Sequence, residues 1–420
     1  MNQMTPNNIP QGYKATALGI IPQEWEVRQF KDIGTFLRNN TLSRDKMSEC
    51  DGFVHNIHYG DVLIKYKEII KVSQNSIPWI SERSKDLQLG DLLQDGDIVI
   101  SDTAEDYTVG KATELSDING ISVVAGLHTI PFRPLPNLFA TCFLGYYINS
   151  MAYRFQLYAL VQGTKVCAIS KKALGSTFII LPPLAEQRKI AEVLGVWDEA
   201  IEKQARLIEK LALRKRALMQ RLLSAKLRLP GFSEPWKTHK LQELFTERNE
   251  TNRTDLPLLS ITGDRGVILQ TESEKRDTSN DDKSKYKRIA KGDIGYNTMR
   301  MWQGRSALSG LEGIVSPAYT IVVPNTDVDG YYMSVLFKQP RLIYDFWTHS
   351  QGLVGDTLNC KYRDFGQVHI CCPPLAEQKA ITEVLTAADR EIELAKEKLE
   401  RLRRQKRGLM QQLLTGKKRI

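Results

Sequence analysis

The feature that most limits what this chain can fold into is an internal repeat. Pro182-Pro183-Leu184-Ala185-Glu186-Gln187 recurs as Pro373-Pro374-Leu375-Ala376-Glu377-Gln378, an offset of 191 residues. The register then holds without a gap for about forty residues. It pairs Ile190 with Ile381, Glu192-Val193-Leu194 with Glu383-Val384-Leu385, and Asp198 with Asp389. It ends by pairing Leu218-Met219-Gln220 with Leu409-Met410-Gln411 and Leu222-Leu223 with Leu413-Leu414. So long an ungapped match is a duplicated element. Beyond the opening prolines neither copy contains Pro or a run of Gly, so each reads as one long helix, the first from about Pro183 to Lys226.

Steps of four and three from Ile190 reach Leu194, Trp197, Ile201, Gln204, Ile208, Leu211, Lys215, Leu218 and Leu222. The same walk from Ile381 reaches Leu385, Ala388, Ile392, Ala395, Leu399, Leu402, Lys406, Leu409 and Leu413. Eight and nine of ten positions are apolar, which is a heptad seam and predicts a coiled coil. Both copies share one polar seam residue, Lys215 and Lys406. A lysine there either fixes the register of the pair or snorkels at the seam's edge.

Charge decides how the helices pair. Residues 186–202 sum to −3 and 203–228 to +8; residues 377–395 again sum to −3 and 396–420 to +8. A parallel pair would set +8 beside +8, whereas an antiparallel pair sets each basic half beside an acidic one. Two duplicated helices so arranged are related by a local two-fold axis and form a rod of about 60 Å, at 1.5 Å per residue. The net charge of +9 is then mostly the helices' own, and the rest of the chain is nearly neutral.

A chain of 420 residues suits more than one core. The repeat divides it into a first domain (1–181), a central helix (182–229), a second domain (230–372) and a C-terminal helix (373–420). The two domains share a weaker outline. Each opens on a Trp-led segment, Gln23-Glu24-Trp25 and Glu234-Pro235-Trp236; each has a Gly-Asp pair at mid-length, Gly96-Asp97 and Gly292-Asp293; each carries Gln-Gly before the repeat, Gln162-Gly163 and Gln351-Gly352. Runs such as Ile98 to Ser101, Ile121 to Ala125, Phe178 to Leu181, Tyr319 to Val323 and Val368 to Cys371 read as strands. The predicted class is α+β: two mixed α/β domains separated by two long helices in an antiparallel coiled coil, with internal pseudo-two-fold symmetry.

Basic and aromatic residues interleave at Lys65-Tyr66-Lys67, from Lys283 to Arg288, and in Asn297-Thr298-Met299-Arg300-Met301-Trp302-Gln303-Gly304-Arg305. Lysines in such clusters pair with phosphates, and Arg, Asn and Gln read guanine or adenine edges. The candidate nucleic-acid contacts are Lys65, Lys67, Lys111 and Lys165 in the first domain and Lys287, Arg300, Trp302 and Arg305 in the second. A solvated loop is the plain alternative for each.

Catalytic signatures are absent from the sequence: there is no GxxxxGK loop, GxSxG elbow or HExxH helix, and the PP pairs are followed by Leu-Ala rather than by a base-holding aromatic. The six cysteines form no metal-binding pairs and read as reduced thiols; His55 and His58 lack a third ligand nearby in sequence. No apolar run approaches the ~18 residues a membrane span needs, and the N-terminus lacks the basic and apolar regions of an export signal, so the expected location is cytoplasmic. These residues alone admit a DNA-reading protein, a coiled-coil adaptor whose end domains bind proteins, or a single-chain nuclease.

With its order of variable domain, PPLAEQ-led helix, variable domain and PPLAEQ-led helix, the whole chain resembles the specificity (S) subunit of type I restriction-modification enzymes. The motifs LPPLAEQRKIAEVL and LMQRLLS, with their copies CPPLAEQKAITEVL and LMQQLLT, carry the resemblance. It implies a non-catalytic subunit whose two target-recognition domains each read half of a bipartite double-stranded DNA sequence. It also implies that the helices set the spacer and dock methyltransferase (M) subunits. No cofactor is expected in this chain: S-adenosylmethionine would belong to the M subunits, ATP and Mg to restriction (R) subunits. One departure is Cys371-Cys372 where the first copy has Ile180-Leu181; both pairs are expected to be buried.

Overall fold

A glycine-aspartate turn leads into the central strand of each domain. Gly96 and Gly292 adopt φ of +87° and +96°, left-handed values that side chains resist. The aspartates that follow, Asp97 and Asp293, are buried and satisfied in the same way. Asp97 accepts from the Gln94 backbone N–H at 2.9 Å and pairs with Arg133 at 2.6 Å. Asp293 accepts from the Ala290 N–H and pairs with Arg248, both at 2.7 Å. A buried carboxylate needs such a partner, and here it fixes the turn that enters the sheet.

The computed structural model describes residues 9–81, 88–163, 165–263, 265–273, 280–352 and 358–420. Part of the expectation about the N-terminus therefore falls on residues 1–8, outside the described ones. The chain divides into two compact units, one of residues up to Ala205 together with Lys398–Ile420, the other Arg206–Glu397. Among the described residues no helix is long and apolar enough to cross a membrane.

In the first unit the main sheet has five strands in the order Gly34–Phe36, Thr129–Pro134, Ile98–Ser101, Ala112–Ser116 and Ile69–Lys71, the last pair parallel and the others antiparallel. A four-stranded sheet, Val123–Ala125, Val54–Ile57, Trp79–Ile80 and Met47–Ser48, shares the domain, its strands interspersed along the chain with those of the main sheet. The second unit has the corresponding antiparallel sheet in four strands: Phe245–Glu247, Tyr319–Pro324, Ile294–Asn297 and Ser306–Leu308. Lys287 and Arg288, for which a solvated loop is the plain alternative, instead open the strand Lys287–Ile289, paired with Gly313–Val315.

The helices Leu184–Leu222 and Leu375–Leu413 are 39 residues each. Strands Phe178–Leu181 and His369–Cys372 lead into them, and here one expectation fails. Ile180 and Leu181 are both buried, but only Cys372 is buried in the second copy; Cys371 is exposed, because side chains alternate across the two-stranded pairing with Lys237–Lys240.

Each unit contains the start of one long helix and the end of the other, and the two segments run antiparallel within it. In the first unit Asp198 meets Lys406 and Glu186 meets Arg419. In the second, Lys215 meets Asp389, Arg214 meets Glu391 and Arg228 meets Glu377. The acidic beginnings thus pair with the basic ends, as the charge pattern required. Each domain core is continuous with its helix segments. Trp25, Phe30, Phe132 and Tyr147 share one core with Ile190, Leu194, Leu413 and Leu414. Phe245, Phe337 and Phe365 share another with Leu222, Leu223, Ile381 and Leu385.

Candidate nucleic-acid interface

The repeated PPLAEQ motif is a joint between domain and helix. Glu186 is buried and accepts from the Trp25 indole N–H at 2.9 Å and from Arg419 Nε at 2.6 Å. Glu377 is buried in the same way, accepting from Trp236 at 3.2 Å and from Arg228 Nε at 2.6 Å. Arg228 and Arg419 are themselves repeat partners, so the joint is duplicated atom for atom. The adjacent glutamines do matching work: the Gln187 amide bonds the Ala140 N–H and the Pro182 carbonyl, the Gln378 amide the Asp329 N–H and the Pro373 carbonyl.

All positions of both seam walks are buried or half-buried. The seam lysines do not snorkel. Lys406 Nζ donates to Asp198 at 2.7 Å, and Asp198 also accepts from the Tyr146 hydroxyl at 2.6 Å. Lys215 Nζ donates to Asp389 at 2.5 Å, and Asp389 accepts from Tyr331 at 2.7 Å. Burial and the neighbouring aspartate hold both phenols well above their usual range. Each Lys-Asp-Tyr triad ties the two helices to a domain helix, Phe143–Asn149 or Gly330–Leu336.

On the first domain three of the four candidate lysines come together. Lys65, Lys67 and Lys111 line a hollow of about 830 Å³ with Tyr107, Asn149, Arg154 and Tyr158. Lys65 donates to the Ser76 carbonyl at 2.7 Å, and Lys67 stands 4.0 Å from Glu202. Lys111 is half-buried, its Nζ bonded to the Leu63 carbonyl at 2.7 Å; desolvation lowers its pKa, opposed by Glu68. Lys165 is exposed and lies outside the hollow. Arg154 has no basic neighbours in sequence to mark it; it is placed here by the helix Met151–Tyr158.

On the second domain Arg300 and Arg305 line a smaller hollow, about 310 Å³, with Thr262, Asn297, Gln303 and Tyr319. Trp302 stands outside it, its indole N–H spent on the Met299 carbonyl at 2.9 Å. Lys287 is half-buried on its strand, 3.9 Å from Glu247. Neither histidine of the 55/58 pair faces these hollows: His55 stacks on Trp79, and His58 accepts from the Gly60 N–H.

Residues 22–212 match the sequence profile of the family described as the type I restriction modification DNA specificity domain. A protein of Methanocaldococcus jannaschii assigned as the MjaX type I restriction enzyme specificity subunit is 25% identical over 98% of this chain and 97% of its own length. The MjaVIII specificity subunit of the same organism is 25% identical over 62% of this chain and 66% of its own. Among solved structures, a chain from a study of complex assembly and conformational transition of the type I R-M system aligns with a TM-score of 0.60 at 16% identity, over 94% of this chain and 99% of that one. The type I S subunit of M. genitalium aligns with a TM-score of 0.51 at 15% identity, over 93% and 96%. At such identities these two likenesses are of fold.

Proposed function

We propose that this chain is a non-catalytic specificity subunit of a type I restriction-modification complex and selects its DNA target, each domain reading one half of an asymmetric bipartite sequence; the family match over residues 22–212 and the full-length likeness to the MjaX subunit support this. One observation carries the reading: equal joints support unequal surfaces. The Glu-Trp-Arg and Lys-Asp-Tyr constellations agree residue for residue between the copies. The hollows on the two domains instead differ in size and in charged lining: Lys65, Lys67, Lys111 and Arg154 with Glu68 and Asp106 in the first, Arg300 and Arg305 with no acid in the second. A conserved frame carrying diverged readers is what two different half-sites require. The long helices set the spacer between half-sites and dock the methyltransferase subunits, which bring S-adenosylmethionine; restriction subunits, with ATP and Mg, complete the assembly.

The charge distribution predicts how binding depends on those partners. Since the excess of basic residues sits on the long helices and the two domains are nearly neutral overall, the isolated chain should hold duplex DNA weakly and the complex with M subunits should hold it tightly. Mapping genomic methylation with and without this chain, M subunits present, tests the function. The expected result is one asymmetric two-part motif that disappears with the chain. A motif independent of the chain overturns the proposal, as does a change in both halves when residues 230–372 are exchanged for another such domain.

A further inference from the structure

The two sheets carry one connection in common, though no sequence similarity shows it. In the first domain it runs from Ser101 to Lys111, and the Ser101 N–H donates to the Lys111 carbonyl at 2.9 Å. In the second it runs from Asn297 to Arg305, and the Asn297 N–H donates to the Arg305 carbonyl at 3.1 Å. The next residue is also held alike. Asp102 and Thr298 donate to His128 and Ala318, each at 3.1 Å, and accept from Ile169 and Cys360, each at 2.8 Å. Lys111 and Arg305 thus occupy the same place in the two domains.

Between these equal stems the chemistry is opposite. The first loop carries Asp102, Glu105 and Asp106, and Lys111 is turned inward onto the Leu63 carbonyl. The second has no acid and two exposed guanidinium groups, Arg300 and Arg305. Neither has an acidic partner among the described residues, whereas Arg248, Arg253 and Arg288 of the same domain are all ion-paired. The loop that presents them is held at three points. Buried Met301 anchors its single helical turn, Trp302 closes back on Met299, and Gly304 takes φ of +71° with Ile343 packed against it. Two unpaired planar donor forks suit the paired acceptors of a base edge, and the amides of Asn297 and Gln303 around the same concavity add donors and acceptors of the kind that read bases.

We propose that Arg300 and Arg305 read guanine, through its O6 and N7 acceptors in the major groove, in the half-site of the second domain, and that the first domain lacks this reading. The proposal rests on the target-selecting role given above and names its chemistry. The test uses the assembled complex with M subunits and its mapped target duplex. Each guanine of the second domain's half-site is replaced in turn by 7-deazaguanine, which lacks N7. Wild-type binding should weaken by roughly tenfold or more at one position at least. There the substitution should have little further effect on Arg305→Ala or Arg300→Ala, and Arg305→Lys should not restore discrimination. Tolerance of 7-deazaguanine at every position by a sequence-specific wild-type complex overturns the guanine assignment alone. So does a uniform loss of affinity on all sequences with a smaller salt dependence, the mark of phosphate contacts. A wild-type complex with no sequence preference overturns the target-selecting role as well.

Discussion

Lys406 Nζ lies 2.7 Å from Asp198 Oδ1 and 5.0 Å from the centre of the Tyr146 ring, so one ammonium group joins the second long helix to the first and to the recognition domain beside it. Its repeat partner Lys215 makes the same bond to Asp389, but in a wetter place. Side-chain exposures are 7% and 23% for the Lys406 pair, 21% and 46% for the Lys215 pair.

That difference sets unequal costs for the same substitution. Lys406→Ala strands Asp198 in a poorly hydrated site and should destabilise the first unit by about 2–4 kcal/mol. Lys215→Ala should cost under ~1 kcal/mol, because water screens the more exposed Asp389. Urea midpoints of the two variants measure both; equal losses would show that the seam lysines act alike.

A second contrast lies where each long helix ends. Ala225 and Gly416 are repeat partners, and both adopt the left-handed conformation, with φ of 57° and 70°. Only at Gly416 is the space closed: a Cβ there would stand 2.3 Å from Pro22 Cδ. Ala225→Gly should therefore stabilise by about 0.5–1 kcal/mol through relief of strain, and Gly416→Ala should destabilise by more than that. Thermal midpoints should move in opposite directions.

Glu114 supplies a pH dependence. It is buried on the strand Ala112–Ser116, and its carboxylate accepts from the Cys142 and Gly145 N–H groups at 2.5 and 2.7 Å. Desolvation outweighs those bonds and pushes its pKa up to about 8. A raised carboxyl pKa favours the folded state fully below the ordinary value near 4.5 and loses that contribution as pH rises to about 8, at up to ~1.4 kcal/mol per pH unit. Amide-exchange protection of the helix Phe143–Asn149 should fall over that range. Glu114→Gln, uncharged throughout, should flatten the profile and exceed wild type at pH 8.

These residues also show what the sequence could disclose. The helices, their seam and their direction were legible because period and charge are local and written twice. Trp25 and Trp236 were visible as parallels, but their bonds to Glu186 and Glu377 were not, and Arg419 meets Glu186 from the far end of the chain. The lysine triads depend on Tyr146 and Tyr331, which belong to domain helices with no heptad pattern. Least visible was the shared loop, because Ser101–Lys111 and Asn297–Arg305 differ in length and composition. Their equivalence resides in backbone hydrogen bonds, which leave no trace in side-chain identity.

The proposed spacer role of the helices rests on their continuity. Each long helix begins in one compact unit and ends in the other without a break. One heptad adds about 10.5 Å along a helix, close to three base pairs of duplex. Adding it to both helices at matching seam positions keeps apolar residues facing each other and leaves the Glu-Trp-Arg joints and Lys-Asp-Tyr triads intact. The complex should then methylate the same two half-sites with a spacer longer by up to ~3 base pairs. Added to one helix alone, the heptad sets the seams out of register and should abolish specific binding. Methylation mapping separates the outcomes: an unchanged spacer with full activity in the doubly extended chain would mean that something other than the helices sets the distance.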